Sequence, residues 1–454
     1  MFIPQGDILF VILSVFPSVR ESKSCLIMSK IRLLTMASAT TGDPMSPTNP
    51  RPLTFLCLAD EFKGETFLIA AKEAGCRVLL LTKEACKDEP WPRNHLDEVF
   101  LMPRPSQPPS GTSQQPDLIP AVSYLARSRV IDRIIPLDDF DVQAAAELRE
   151  HLRLPGMNAS AARHFRDKLA MRVEARALGL PVPEFTGVFN YGRLRDFMAR
   201  LSPPWMFKPR FEAGSVGIKK LTGAESVWRQ LAALGDAQSF YLLEQFLPGA
   251  VFHVDSLVAQ GEVVFACASR YAQPPFNVAH GGGVFRTQTL PPDSADARTM
   301  LALNGRLLPG LGLVQGAAHT EFIKAEADGQ FYLLETAARV GGVNIADMIE
   351  AATGVNLWRE WLKIELAEAR GETYAPPTSK ADHAGLIICL ARQEHPDLSP
   401  FDAPEVVWRL PRAYHARLIL ASPDPERLNA LLDDYAWRFG SDFLAVAPQI
   451  ETHF

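Results

Sequence analysis

Two glutamates on either side of one turn constrain this chain most. Glu321 lies in Ala318-His319-Thr320-Glu321-Phe322-Ile323, and Glu335 in Tyr332-Leu333-Leu334-Glu335-Thr336-Ala337-Ala338-Arg339. Apolar residues flank each carboxylate, and Asp328-Gly329 between them is a strong hairpin signal. Strands paired through that turn point both carboxylates at one spot. With Arg339 four residues beyond Glu335, such a pair suits a hard divalent cation and the phosphate oxygens it bridges. Taken alone, two glutamates on a sheet surface are more simply solvated; the residues upstream shift that balance.

At 454 residues the chain exceeds one core, so two to four domains are expected. Hydrophobic residues at 47% and charged residues at 22% fit a soluble globular protein. A formal charge of −6 argues against a nucleic-acid partner but leaves anionic small molecules open, since a local basic cluster can serve them. The six cysteines are scattered without a Cys-x-x-Cys pair, and Cys57, Cys267 and Cys389 lie in apolar runs. That predicts reduced thiols in a cytoplasmic protein, with neither a disulfide framework nor a zinc site. Residues 1–52 read as a disordered tail. Ile8–Phe16 falls far short of the ~20 residues that span a bilayer, and no basic residue precedes it, so no membrane association is expected. Translation from Met28, Met36 or Met45 is a further expectation, which intact mass decides.

Residues 53–155 alternate strands and helices: strands at 53–59, 77–82, 98–102 and 133–137, helices at 66–74, up to about 129, and at 142–152. This is a small parallel α/β layer. Its first turn, Asp60-Glu61-Phe62-Lys63-Gly64, is no Gly-x-Gly-x-x-Gly, which argues against a nicotinamide dinucleotide site. Pro155-Gly156 breaks the pattern, and Asn158 or Ser160 can cap the next helix. There Phe165, Leu169, Val173 and Ala177 predict one apolar face, with Lys168 off it. A strand at 205–208 runs into a loop with Ala213, Gly214, Ser215 and Gly217, and a strand at 241–244 leads into Gln245-Phe246-Leu247-Pro248-Gly249. After the hairpin comes a helical stretch at 345–369. Beyond a Pro-rich break at 375–378 the sequence predicts strands at 385–391, 406–410, 416–420 and 443–447, with a helix at 426–439.

Lys208, ending a strand before a loop of small residues, supplies a point charge where backbone N–H groups can approach phosphates. It is not a P-loop, where the lysine follows the glycines. Singly, Lys168 is a helix lysine, the Gly/Ser loop a turn, and Leu243–Leu247 a core strand leaving for a loop. Their order is more specific. Lysine before Gly-x-Pro-x-Pro, strand-Lys-Pro with a Gly/Ser loop, Glu-x-Phe-Leu-x-Gly, then Glu…Glu-x-x-x-Arg together resemble the ATP-grasp superfamily over about residues 155–369.

The resemblance implies an α/β protein with a pre-ATP-grasp domain at 53–155, a two-lobed α+β ATP-grasp domain at 156–372 and a small C-terminal α+β domain at 373–454. It implies ATP held by Lys168 and Lys208, by the loop containing Gly214, Ser215 and Gly217, and by the linker at Glu244, Phe246 and Leu247. It implies Mg2+ (or Mn2+) on Glu321 and Glu335, and Arg339 steadying an acyl phosphate. Arg339-Val340-Gly341-Gly342 is most similar to the amino-acid-ligase and carnosine-synthase-like branch; D-alanine ligases carry Asn-Thr-x-Pro-Gly there. The implied activity is ligation of a small carboxylate to an amine, with a homodimer as the assembly. A biotin-carboxylase-like enzyme and a non-catalytic Mg-ATP module are the rivals. Two positions depart from the pattern. Ala337 replaces an asparagine ligand, for which Asn344 is the substitute named, and Val251 replaces a ribose-binding acid, for which His253 or Asp255 are named. Arg270, Arg286, the His280–Gly283 run and His319 are the candidates for meeting the acceptor.

Overall fold

Thr54–Ala59 is apolar throughout apart from its leading threonine, and as strand β2 it is buried at every position. That is what a parallel strand covered on both faces requires. The computed structural model describes residues 51–103, 117–409 and 412–445, with the backbone of 32–34. β3 (Arg77–Lys83), β4 (Glu98–Met102) and β5 (Arg133–Pro136) complete a parallel layer in the order β4-β3-β2-β5. A short strand β1 (Arg32–Leu34) adds antiparallel to β4. The expected tail at 1–52 is therefore corrected at those three residues, because the exposed edge of β4 offers them a ladder. The loop expected at 103–116 lies outside the described residues from position 104.

A four-stranded antiparallel sheet follows, ordered β6 (Phe185–Gly187), β9 (Tyr241–Gln245), β7 (Trp205–Pro209), β8 (Lys219–Leu221). The third sheet has eight antiparallel strands. Its order runs β14 (Phe331–Ala337), β13 (Gly316–Ala325), β10 (Gly249–Ala259), β11 (Glu262–Tyr271), β12 (Phe285–Thr289), β15 (His383–Leu390), β17 (His415–Ser422), β16 (Val406–Arg409). The C-terminal strands thus continue the sheet that carries the glutamate hairpin. The strand expected at 443–447 is corrected over 443–445, the part that lies within the described residues: the last helix runs Pro425–Asp442, and of those three residues Leu444 alone bridges, to Ala391.

In chain order, between the first two sheets, come helices Ala159–His164, capped by Asn158, and Lys168–Ala177, capped by Asp167. The apolar face expected there is also corrected. Val173 is 54% exposed, whereas Lys168, Met171, Arg172 and Ala175 are buried. The buried stripe keeps the i, i+3, i+4, i+7 spacing of a helix face but carries two cations, whose charged ends meet carboxylates. One apolar cluster joins the first sheet to helix Leu357–Arg370, with Phe67 against Trp361 at 5.4 Å between ring centroids. Among the described residues no helix is long and apolar enough to cross a membrane.

Candidate active site

The hairpin sets Glu321 directly opposite Glu335. Side chains so paired start about 4.5–5.5 Å apart at Cβ, which brings two carboxylates within reach of one ion. Glu321 Oε1 accepts from Tyr271 at 2.8 Å and lies 3.6 Å from His319 Nε2. Burial alone would raise the Glu321 carboxyl, but His319 and Tyr271 outweigh it and hold the group below its ordinary range. Glu335 Oε2 is 3.1 Å from Lys168 Nζ, which also donates to the Glu212 carbonyl at 2.6 Å. One lysine thus ties the second glutamate to the Gly/Ser loop.

Lys208, at the end of β7, is buried against Glu244 of the adjacent β9. Arg172 donates to Glu244 from the other side at 2.8 Å and reaches the Leu334 carbonyl beside Glu335. Burial would raise Glu244, yet Arg172 and Lys208 hold it low. Burial in turn lowers the Lys208 ammonium against the pull of Glu244. Sequence reasoning missed Arg172. The available signal was its spacing, four residues after Lys168 and so on the same helix face.

In the loop, Gly214, Ser215 and Gly217 all adopt left-handed backbone, with φ of 62°, 66° and 70°. Only glycine does so without strain, so the loop's shape depends on these positions. Arg210 at its base is clamped by Asp167, the residue that caps helix Lys168–Ala177. On the linker, Phe246 lies under Lys220, whose Nζ is 3.7 Å from the ring centroid, and Leu247 packs on Val251, Tyr271 and Ile323.

The three substitutes named from the sequence have partners within the protein. Asn344 donates its amide to Asp347 and accepts from Arg417 at its carbonyl. His253 and Asp255 are fully buried and bonded to each other at 2.7 Å. Asp255 bonds His319 as well, at 2.9 Å. Burial would lower His319, but Asp255 pushes it up to about 9, leaving a cation beside Glu321. Gly341 permits this arrangement: a Cβ there would lie 2.5 Å from Asp255 Oδ1.

Lys168, His319, Glu335 and Arg339 open, with Asp139 and Arg166, on a cleft of about 350 Å3, whereas Glu321, Lys208 and Glu244 are not among its lining residues. Arg339 is held there by Asp139, whose Oδ2 accepts from Nε at 2.7 Å and lies 2.6 Å from the second guanidinium nitrogen. Arg270 and Arg286 are not brought to it. Arg270 is exposed beside Phe252, on the sheet face opposite Tyr271, and Arg286 pairs with Asp433 of the last helix. A second cleft of about 390 Å3, lined in part by Arg133, Arg149 and Glu365, lies away from the hairpin glutamates.

A parallel layer, a small antiparallel sheet and a long one whose edge hairpin bears two opposed glutamates define the ATP-grasp fold. In sequence the chain is similar to amino-acid ligases. It is 26% identical over 242 residues to an L-arginine-specific L-amino acid ligase of Bacillus subtilis, covering 52% of this chain and 58% of that one. It is 27% identical over 227 residues to a D-alanine–D-alanine ligase of Neisseria gonorrhoeae, covering 48% and 72%. The match to the arginine-specific ligase therefore takes in less than two thirds of that protein. In structure it is similar to an L-amino acid ligase from Bacillus licheniformis, with a TM-score of 0.67 and 18% identity over 88% of this chain and 100% of that one. No family model matches the chain.

Proposed function

We propose that this protein is an ATP-dependent carboxylate–amine ligase that acts on amino acids or other small carboxylic acids through an acyl phosphate. The observation that carries the reading is the contact between Lys168 and Glu335 at 3.1 Å, with Glu335 facing Glu321. A cation from the front of the chain meets one acid from the back, and that acid faces the second across the hairpin.

Glu321 and Glu335 suit Mg2+ or Mn2+: both are hard oxygen donors, and each keeps one oxygen without a hydrogen bond among the described residues. An ion there would offset charge on the β- and γ-phosphates. Lys168 and Lys208 neutralise the triphosphate while the substrate carboxylate oxygen attacks the γ-phosphorus and ADP departs. The amine nitrogen then attacks the acyl carbon, loses a proton, and inorganic phosphate leaves. Arg339 stabilises the oxyanion that develops on the carbonyl oxygen during that attack.

The test is a phosphate-release screen over amino-acid pairs, followed by mass spectrometry for a product that has lost one water. Tight Mg-ATP binding with no ADP from any pair supports instead a nucleotide-binding module. Turnover that requires bicarbonate and biotin supports the carboxylase reading.

A further inference from the structure

Arg339 follows β14 in the third sheet, whereas Asp139 follows β5 in the first, 200 residues earlier in the chain. Their contact crosses the seam between those sheets, at the carboxyl end of the parallel strands, where α/β layers place their ligands. A guanidinium has five N–H donors. In Arg339 one is spent on the Val340 carbonyl, and Nε with the far nitrogen faces a single oxygen of Asp139. The fork is thereby fixed in plane and rotation, and its remaining N–H groups are left for a ligand in the cleft. Asp139 is itself fixed. Its backbone N–H donates to Asp138 Oδ1 at 2.7 Å, and that same oxygen takes Lys63 at 2.8 Å. Its other carboxylate oxygen lies 3.8 Å from Arg166, a second cation lining the cleft.

We infer that Asp139 is a positioning residue for Arg339, holding its guanidinium for the acyl phosphate only while the first sheet is docked. The inference rests on the ligase reading for what Arg339 does, but the pairing can be read without turnover. Lys63, Asp138 and Asp139 form a chain from the turn after β2 to the working arginine. Loss of the Asp139 charge leaves the guanidinium, among the described residues, its bond to the Val340 carbonyl, and it also removes the carboxylate beside Arg166.

Two measurements test this on wild type, Asp139→Asn, Arg339→Ala and the double variant. The first follows ADP formation with an amino-acid pair that the wild type accepts. Asp139→Asn is expected to lower kcat about tenfold or more while KM for ATP stays within about twofold, since a displaced group costs rate more than nucleotide binding. Asp139→Glu recovers part of the loss, and Asp139→Asn has no further effect once Arg339 is alanine. Equal, additive losses in both backgrounds overturn the inference. The second titrates inorganic phosphate into each protein saturated with Mg-ADP, by calorimetry. Wild type is expected to bind several-fold more tightly than either single variant, and the double variant no more weakly than the singles. Equal affinity in all four, or tighter binding by Asp139→Asn, overturns it. Should Asp139→Asn fail to fold, as a thermal melt reveals, Asp139→Glu carries both comparisons. Phosphate binding in the expected pattern without ADP from any amino-acid pair removes the ligase reading and leaves the pairing intact.

Discussion

Glu335 is the side chain on which the two halves of the cleft converge, and it is replaceable without a change of shape. Glu335→Gln is expected to lower ADP formation by about 10²–10³ while the melting temperature holds, because one charged contact to the transferring group is lost. Near-normal turnover would sink the assignment. His319 makes a prediction about pH. Its folded value, about 9, stands above the ordinary 6.5, so its contribution to stability is complete below about pH 6.5 and is lost as pH rises through 9. Denaturant unfolding between pH 6.5 and 9.5 should therefore show falling stability, with His319→Gln flattening the decline. These positions differ in how far the sequence announced them. Glu321, Glu335 and Lys168 stood out because their spacing carries chemistry. Asp139 did not, since a carboxylate after a strand is ordinary until its partner 200 residues on is known.

Helix Lys168–Ala177 shows why a hydrophobic pattern can name an element and misplace its face. Phe165 and Leu169 suggested one stripe, but the turn at residues 165–167 splits the segment into two helices, and the second rotates Lys168 and Arg172 inward. Periodicity marks where apolar residues recur, whereas here the buried stripe is organised by ion pairs. Arg172→Leu should cost about 3–5 kcal/mol, because Glu244 loses one of its two cations in a buried place. A denaturation midpoint in urea unchanged from wild type would contradict that. The strands were more legible, since an apolar run or a hairpin signal fixes pairing locally. In the hairpin, Asp328-Gly329 announced the pairing of the two strands, but a bulge between Glu321 and Phe322 shifts the register so that Glu321 faces Glu335 and not Leu334, which no local signal showed.

Phe67 of the first layer and Trp361 of the late helix belong to one apolar cluster that also takes in Leu386 and Ile419 of the C-terminal strands. A shared core of this kind predicts one cooperative unfolding transition. Phe67→Ala should shift it as a unit, by about 3–5 kcal/mol. Two transitions of which only one moves would contradict a shared core. Sequence alone located the segments but gave no means to see that β12 pairs with β15, since nothing local encodes a partner 95 residues away. That pairing has a bearing on how the chain is made. On the ribosome, β12 emerges with one edge unsatisfied and waits for β15 through roughly 5–20 s of further synthesis at ordinary rates. Arg286, Thr287, Gln288 and Thr289 along that strand are polar, the composition that discourages a nascent edge from recruiting a neighbouring chain in the interval.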